Sequence, residues 1–220
     1  VVTAIIPARG NSKGITRKNM FPLGGRPLID WTIKCAQNAN IDRVVVSTED
    51  YEIGQHCADL GCVVVKRPVA LSADNVHAIY VVLHAIEYLE LDRQELVLML
   101  LPTSPLRVPS DVNTTIQLLA RHPSPASVIG VECVGHELNL VRMKRGSLHR
   151  VFDVTDANNK QRQNASPVYK TNGAIFAAHC HTLLSNKSFY TTFSIPYLMP
   201  ACRSVEVDTI DDLRLAEALL

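Results

Sequence analysis

The chain has 220 residues, of which 47% are hydrophobic and 20% charged, with a formal net charge of +1. That composition suits one globular domain with a well-buried core and room for a small appendage, and it excludes a disordered chain. The near-neutral balance gives no support to a generic nucleic-acid grip, and no apolar run reaches the ~18 residues of a membrane span, so neither nucleic acid nor membrane is an expected partner.

Residues 1–8 are too short and wrongly laid out for a signal peptide, so a cytoplasmic protein is expected. The six cysteines form no C-x-x-C pair and read as reduced thiols.

Residues 1–7 are a continuous apolar run rich in β-branched side chains, as in a strand buried on both faces. The run ends in a loop, IPARGNSKGITRKN, holding Arg9, Lys13, Arg17 and Lys18 with Gly10 and Gly14. Glycine lets backbone N–H groups approach an anion closely, and Arg9, Lys13 and Lys18 can neutralise several phosphate charges. The spacing is neither the G-x-x-x-x-G-K-[ST] of a P-loop nor G-x-G-x-x-G, so P-loop hydrolysis and dinucleotide redox chemistry lose support.

Further on, residues 27–38 read as a helix, 42–47 as a strand, 49–60 as a helix stopped by Gly61, and 62–66 as a strand. Residues 74–89 repeat apolar positions at three- and four-residue steps and predict a long helix. A buried strand at 95–101, a helix at 109–121 and a strand at 126–133 follow. This alternation predicts a three-layer α/β fold with a mostly parallel sheet, whose ligands sit beyond the carboxyl ends of the strands.

The pattern breaks after Cys133. Residues 134–165 are polar and irregular, and a strand-like run resumes at 167–178 around Asn172-Gly173. The expected division is an α/β domain at 1–133 and 177–220 with an inserted lobe at 134–176. Near the end, VEVD places Glu206 and Asp208 two residues apart, on one face if the segment is a strand. Two hard oxygen ligands facing one cavity suit Mg²⁺, which completes its shell with water and substrate phosphate. Thr209 and Asp212 form a capping-box pattern for a last helix at 209–220. A cationic loop and a carboxylate pair together predict phosphoryl or nucleotidyl transfer.

At this point the sequence resembles the CMP–sialic acid synthetases, or acylneuraminate cytidylyltransferases. The resemblance is carried by IPARGNSKGITRKN, then VVSTED at 45–50, RPVALSAD at 67–74, PTSPLR at 102–107, TNGAIF at 171–176 and VEVDTIDDL at 205–213. It implies a Rossmann-like fold of the nucleotide-diphospho-sugar transferase type with a small dimerisation lobe. It also implies a homodimer, and transfer of CMP from CTP to a nonulosonic sugar acid with Mg²⁺ as cofactor. By resemblance, Arg9, Ser12 and Lys13 hold the triphosphate and Lys18 stabilises charge at the α-phosphate, with Lys13, Lys18 and Asp208 as the catalytic set. Asn19, Arg67 and Ser72 contact the cytidine part. Asp208 and Glu206 hold the metal. Arg162, Asn172 and Phe176 lie near the sugar, and Phe189 and Tyr190 match an aromatic pair contributed by the partner chain.

Two departures stand out. Leu101 occupies the place of a glutamine that contacts the sugar, and Glu206 replaces the first aspartate of the metal motif. An apolar side chain cannot make the glutamine's hydrogen bonds. The expected substrate is therefore a sialic-type acid other than N-acetylneuraminate, such as a legionaminic or pseudaminic acid. The alternatives are another sugar nucleotidyltransferase, such as a CMP-Kdo synthetase, and a catalytically silent nucleotide-binding module.

Overall fold

The structure, a computed structural model, describes residues 1–12, 14–122, 126–152 and 165–220. Along the chain, the strands begin with β1 (Val2–Pro7) and a short ribbon of β2 (Pro22–Leu23) and β3 (Arg26–Pro27). They continue with β4 (Arg43–Thr48), β5 (Val63–Lys66), β6 (Leu96–Met99) and β7 (Ala126–His136). A hairpin of β8 (Val141–Lys144) and β9 (Ser147–Arg150) precedes β10 (Pro167–His179) and β11 (Phe193–Leu198). The helices are α1 (Leu28–Gln37), α2 (Tyr51–Asp59), α3 (Ala78–Tyr88), α4 (Pro109–Ala120), α5 (Cys180–Asn186) and α6 (Ile210–Ala218).

Seven of the described strands form one sheet in the order β11-β7-β10-β6-β1-β4-β5. It is mostly parallel. β1 runs with β4 and β6, β4 with β5, and β7 with β11, while β10 is antiparallel to both its neighbours. Alternation along β1 explains the layers. Ala4 and Ile6 point into a core shared with Ile29 and Ile33 of α1, Ile53 of α2 and Val112 of α4. Ile5 points the other way, onto Val82 and Ile86 of α3 and Leu183 of α5. A strand covered on both faces needs apolar side chains at every position, which is why it reads as an unbroken run.

A third apolar cluster lies at the carboxyl end of the sheet. Ile15 of the cationic loop packs there with Leu106, Val207, and Leu213 and Ala216 of α6. It seats the loop and the carboxylate-bearing segment on one floor.

Several expectations need correction. The helix expected from residue 74 begins at Ala78, because 69–72 form a 3-10 turn and Ser72 and Asp74 bond into the site. Residues 205–208 are not a strand; Val207 N donates instead to the loop carbonyl of Thr103 at 2.7 Å. Glu206 and Asp208 nonetheless share the outward side, since Val207 between them is buried. The sheet also claims residues assigned to the lobe. Ala174 and Ile175 are core, and Phe176 pairs with Met99 and Ile129. What runs beyond the neighbouring strands is the outer part of β7 and β10, paired from Lys170↔Glu132 to Pro167↔His136, and the β8–β9 hairpin forms a separate ribbon.

Candidate active site

The strand order reverses between β1 and β6, the place where open α/β sheets bind ligands. A pocket of about 260 Å³ lies there, and Arg9, Ser12, Lys18, Asn19, Arg67, Ser72 and Leu101 all line it. The loop after β1 comes close to its neighbours through its glycines. A Cβ on Gly10 would fall 2.5 Å from Asp50 Oδ2, and one on Gly14 would fall 2.2 Å from the backbone oxygen of Asp208. Only glycine fits at position 14 without moving backbone.

One side of the pocket is organised by Glu49, at the end of β4. Its Oε1 accepts from Gly10 N at 2.8 Å, and its Oε2 accepts from Ser72 Oγ at 2.7 Å and from Arg67 Nε and Nη2 at 2.9 and 2.8 Å. Desolvation works against this carboxylate, yet the bonds from Ser72, Gly10 and Arg67 hold it below the usual glutamate range. Arg67 is only 5% exposed, so its pairing with Glu49 fixes a buried guanidinium. Arg9 pairs with Asp74, and Asn19 Nδ2 donates to Arg9 O at 2.8 Å. Arg17 straps the loop to the start of α2 through Asp50 and Glu52.

The carboxylates stand beside the pocket and meet it through Lys18. Lys18 Nζ donates to Asp208 Oδ1 at 2.8 Å and to Val207 O at 2.9 Å. Glu206 lies against Gly173, whose added Cβ would meet Glu206 Oε1 at 2.8 Å and Leu101 Cδ1 at 3.4 Å. Desolvation, and then the charge of Asp208, raise the Glu206 carboxyl above its ordinary value. Among the described residues no three His, Cys, Asp or Glu side chains form a metal cage. Two carboxylates on one side nevertheless fit a hydrated Mg²⁺ that would take its remaining ligands from water and phosphate.

The remaining expected residues fall elsewhere. Lys13 and Arg162 lie outside the described residues. Asn172 is buried beneath the site. Its Nδ2 donates to Ser204 Oγ at 3.0 Å and its Oδ1 accepts from Ala174 N at 3.1 Å. Phe176 and Phe189 pack on each other at 5.6 Å within the core, whereas Tyr190 is 61% exposed. Glu49 was missed as a site residue, although the VVSTED motif contains it. A glutamate at a strand's carboxyl end, facing a cationic loop, was the signal available.

Comparison with known proteins adds the family. The cytidylyltransferase family model matches residues 3–218. N-acylneuraminate cytidylyltransferase of Streptococcus agalactiae is 33% identical over 211 residues, covering 94% of this chain and 50% of that protein. CMP-N,N'-diacetyllegionaminic acid synthase of Legionella pneumophila is 30% identical over 224 residues, covering 100% and 96%. The chain therefore spans about half the length of the streptococcal relative and nearly all of the Legionella one. The solved structure of CMP:2-keto-3-deoxy-manno-octonic acid synthetase complexed with CTP aligns with a TM-score of 0.72. That alignment is at 17% identity, over 99% of this chain and 97% of that one, and it shows a shared fold.

Proposed function

The chain belongs to the cytidylyltransferase family, and on that premise we propose that it joins CTP to a nonulosonic, sialic-type 2-keto sugar acid, releasing pyrophosphate and giving the CMP-sugar. The observation that carries this reading is a cationic pocket with a carboxylate pair beside it. Arg9, Ser12, Asn19, Arg67 and Ser72 surround a space for the nucleotide, and Lys18 joins it to the Glu206–Asp208 side.

In the proposed reaction the anomeric hydroxyl oxygen of the sugar acid bonds to the α-phosphorus of CTP as the bond to the pyrophosphate breaks, and the hydroxyl proton passes to water. Arg9 and the N–H groups of the glycine loop hold the triphosphate, with Lys13 as a further cation. Lys18, released from Asp208, turns its ammonium to the charge growing at the α-phosphate. Arg67 and Ser72, fixed by Glu49, shape the cytidine side with Asn19. Asp208 and Glu206 would hold Mg²⁺, which when bound supplies electrophilic stabilisation of the phosphate oxygens.

Leu101 closes the acceptor side with an apolar group, which favours an acid other than N-acetylneuraminate. The Legionella relative, a CMP-N,N'-diacetyllegionaminic acid synthase, supports a legionaminic-type substrate. Arg162 and Tyr190 are proposed to contact the sugar, with Asn172, Phe176 and Phe189 supporting the site from beneath or from the partner subunit. A homodimer is supported by the hairpin, whose Met143 and Leu148 are 77% and 72% exposed. Dependence on CTP favours the cytoplasm, and no helix among the described residues is long and apolar enough to cross a membrane.

The test is pyrophosphate release from CTP and Mg²⁺ with N-acetylneuraminate, legionaminate, pseudaminate and Kdo. Turnover with legionaminate or pseudaminate well above N-acetylneuraminate is expected. A clear preference for Kdo would overturn the acceptor class, and CTP binding with no turnover on any acid would leave a nucleotide-binding module.

A further inference from the structure

The loop after β6 ties together the acceptor side of the pocket. Thr103 O takes the N–H of Val207 and so fixes the segment bearing Glu206 and Asp208. Ser104 Oγ reaches Asn172 O at 3.3 Å. At the loop's end stands Arg107, only 3% exposed.

Its guanidinium has an unusual set of partners. Nη1 donates to Ala174 O and Nη2 to Thr32 Oγ1 at 2.9 Å, while Nε has no hydrogen-bond partner among the described residues. Asp111 of α4 bonds Arg203 and Tyr197 and acts on Arg107 by its charge alone, and the Cys35 thiol lies beside the guanidinium. Thr32 Oγ1 in turn lies 3.4 Å from Leu101 O. A buried cation bonded mainly to neutral oxygens is expensive to keep, and an apolar side chain of similar volume would fill the same core space. Simple packing therefore does not account for it.

The bonds have a direction in common. Ala174 closes the bulge of β10 that holds Gly173, and Gly173 faces both Glu206 and Leu101. Through Thr32 the same guanidinium reaches the end of β6, where Leu101 enters the pocket. The nucleotide side hangs on Glu49 and shares none of these bonds.

We propose that Arg107 is a positioning residue for the acceptor side, setting the placement of Leu101 and of the 172–174 bulge against Glu206. The inference rests on the cytidylyltransferase reading for which side takes the sugar acid, but the placement itself is testable without turnover. The variants are Arg107→Met, Arg107→Lys and Thr32→Val, the last removing the linking hydroxyl while keeping the shape. Hydrogen–deuterium exchange is followed by mass spectrometry in peptides covering 101–104, 172–176 and 67–72.

In Thr32→Val and Arg107→Met, exchange at 101–104 and 172–176 is expected to rise about tenfold, with 67–72 unchanged, as for loss of a bond to a charged donor. Arg107→Lys should fall between these and wild type. In turnover, the KM for the sugar acid should rise by about the same factor while the KM for CTP holds within roughly twofold.

Uniform exchange changes along the chain, or none, would overturn the proposal. So would equal shifts of the two KM values. If the wild-type protein turns over no sugar acid, the functional reading fails, and the exchange contrast still decides the role of Arg107. Should Arg107→Met not fold, Thr32→Val carries the test alone.

Discussion

Lys18 and Glu49 have different tasks in the same pocket, and different measurements reveal them. The Lys18 ammonium pairs with Asp208, and the ion pair is open to water on the aspartate side. Such a pair adds little to stability, since solvent screens it. Its value lies in the transition state, where a placed donor in a dry site counts for far more. Lys18→Ala should lower kcat for pyrophosphate release by about 100- to 1,000-fold. The melting temperature should hardly move. A loss of only a few-fold would remove Lys18 from the chemistry. Glu49 is the reverse case, because its partners belong to the folded state. Its carboxyl titrates below its unfolded value of 4.5. The stability it contributes is therefore complete above that value and is lost as pH falls through the lower folded one. Glu49→Gln should be less stable than wild type at neutral pH. Its melting temperature should fall less steeply on acidification below pH 4.5. Parallel curves for the two proteins would show that Glu49 gains nothing from Gly10, Arg67 and Ser72.

At the scale of elements, the loop between β1 and the first 3-10 turn shows what a sequence reveals and what it hides. Its charge and glycines are visible as a string, and they lie where the fold puts ligands. Its strap is not, because Arg17 finds Asp50 and Glu52 only after β4 has been laid beside β1. Glu49 escaped for the same reason, since its partners at 10, 67 and 72 meet only in three dimensions. The strands β1, β4 and β6 were legible because burial on both faces forces apolar runs. The capping box of Thr209 and Asp212 was legible because it is local. By contrast, 205–208 alternates like a strand, yet its bond partner is a loop. α5 and β11 went unread: their segment mixes polar and apolar residues, and only Ser127 and its neighbours on β7 give β11 its register. Arg17 itself is left-handed, at φ 52°, a conformation that costs a side-chain-bearing residue about 1 kcal/mol. Arg17→Ala keeps that cost and loses the strap, whereas Arg17→Gly loses the strap and sheds the cost as well. Urea denaturation should place Arg17→Gly above Arg17→Ala by about 1 kcal/mol. The reverse order of the variants would mean that the backbone at 17 carries no strain.

At the scale of the whole molecule, the β8–β9 hairpin is the part that a single chain leaves unfinished. Its register pairs Met143 with Leu148 and Val141 with Arg150, so Val141, Met143 and Leu148 share one side, with Arg150 at its end. Arg142, Lys144 and His149 share the other. All eight strand residues are exposed. A two-stranded hairpin is marginal in water by itself, and an apolar stripe along it invites association. A second copy of this chain would cover the stripe and bury side chains that now face solvent. Sedimentation of the wild-type protein should therefore give a dimer, and the pair of changes Met143→Glu and Leu148→Glu should give a monomer. Both substitutions lie away from the nucleotide pocket, so CTP binding by calorimetry should survive them. If the partner subunit completes the acceptor side, turnover of the sugar acid should fall together with the dimer. A monomeric wild type would leave the hairpin's apolar side without the proposed occupant. A monomeric variant with full turnover would separate assembly from the chemistry.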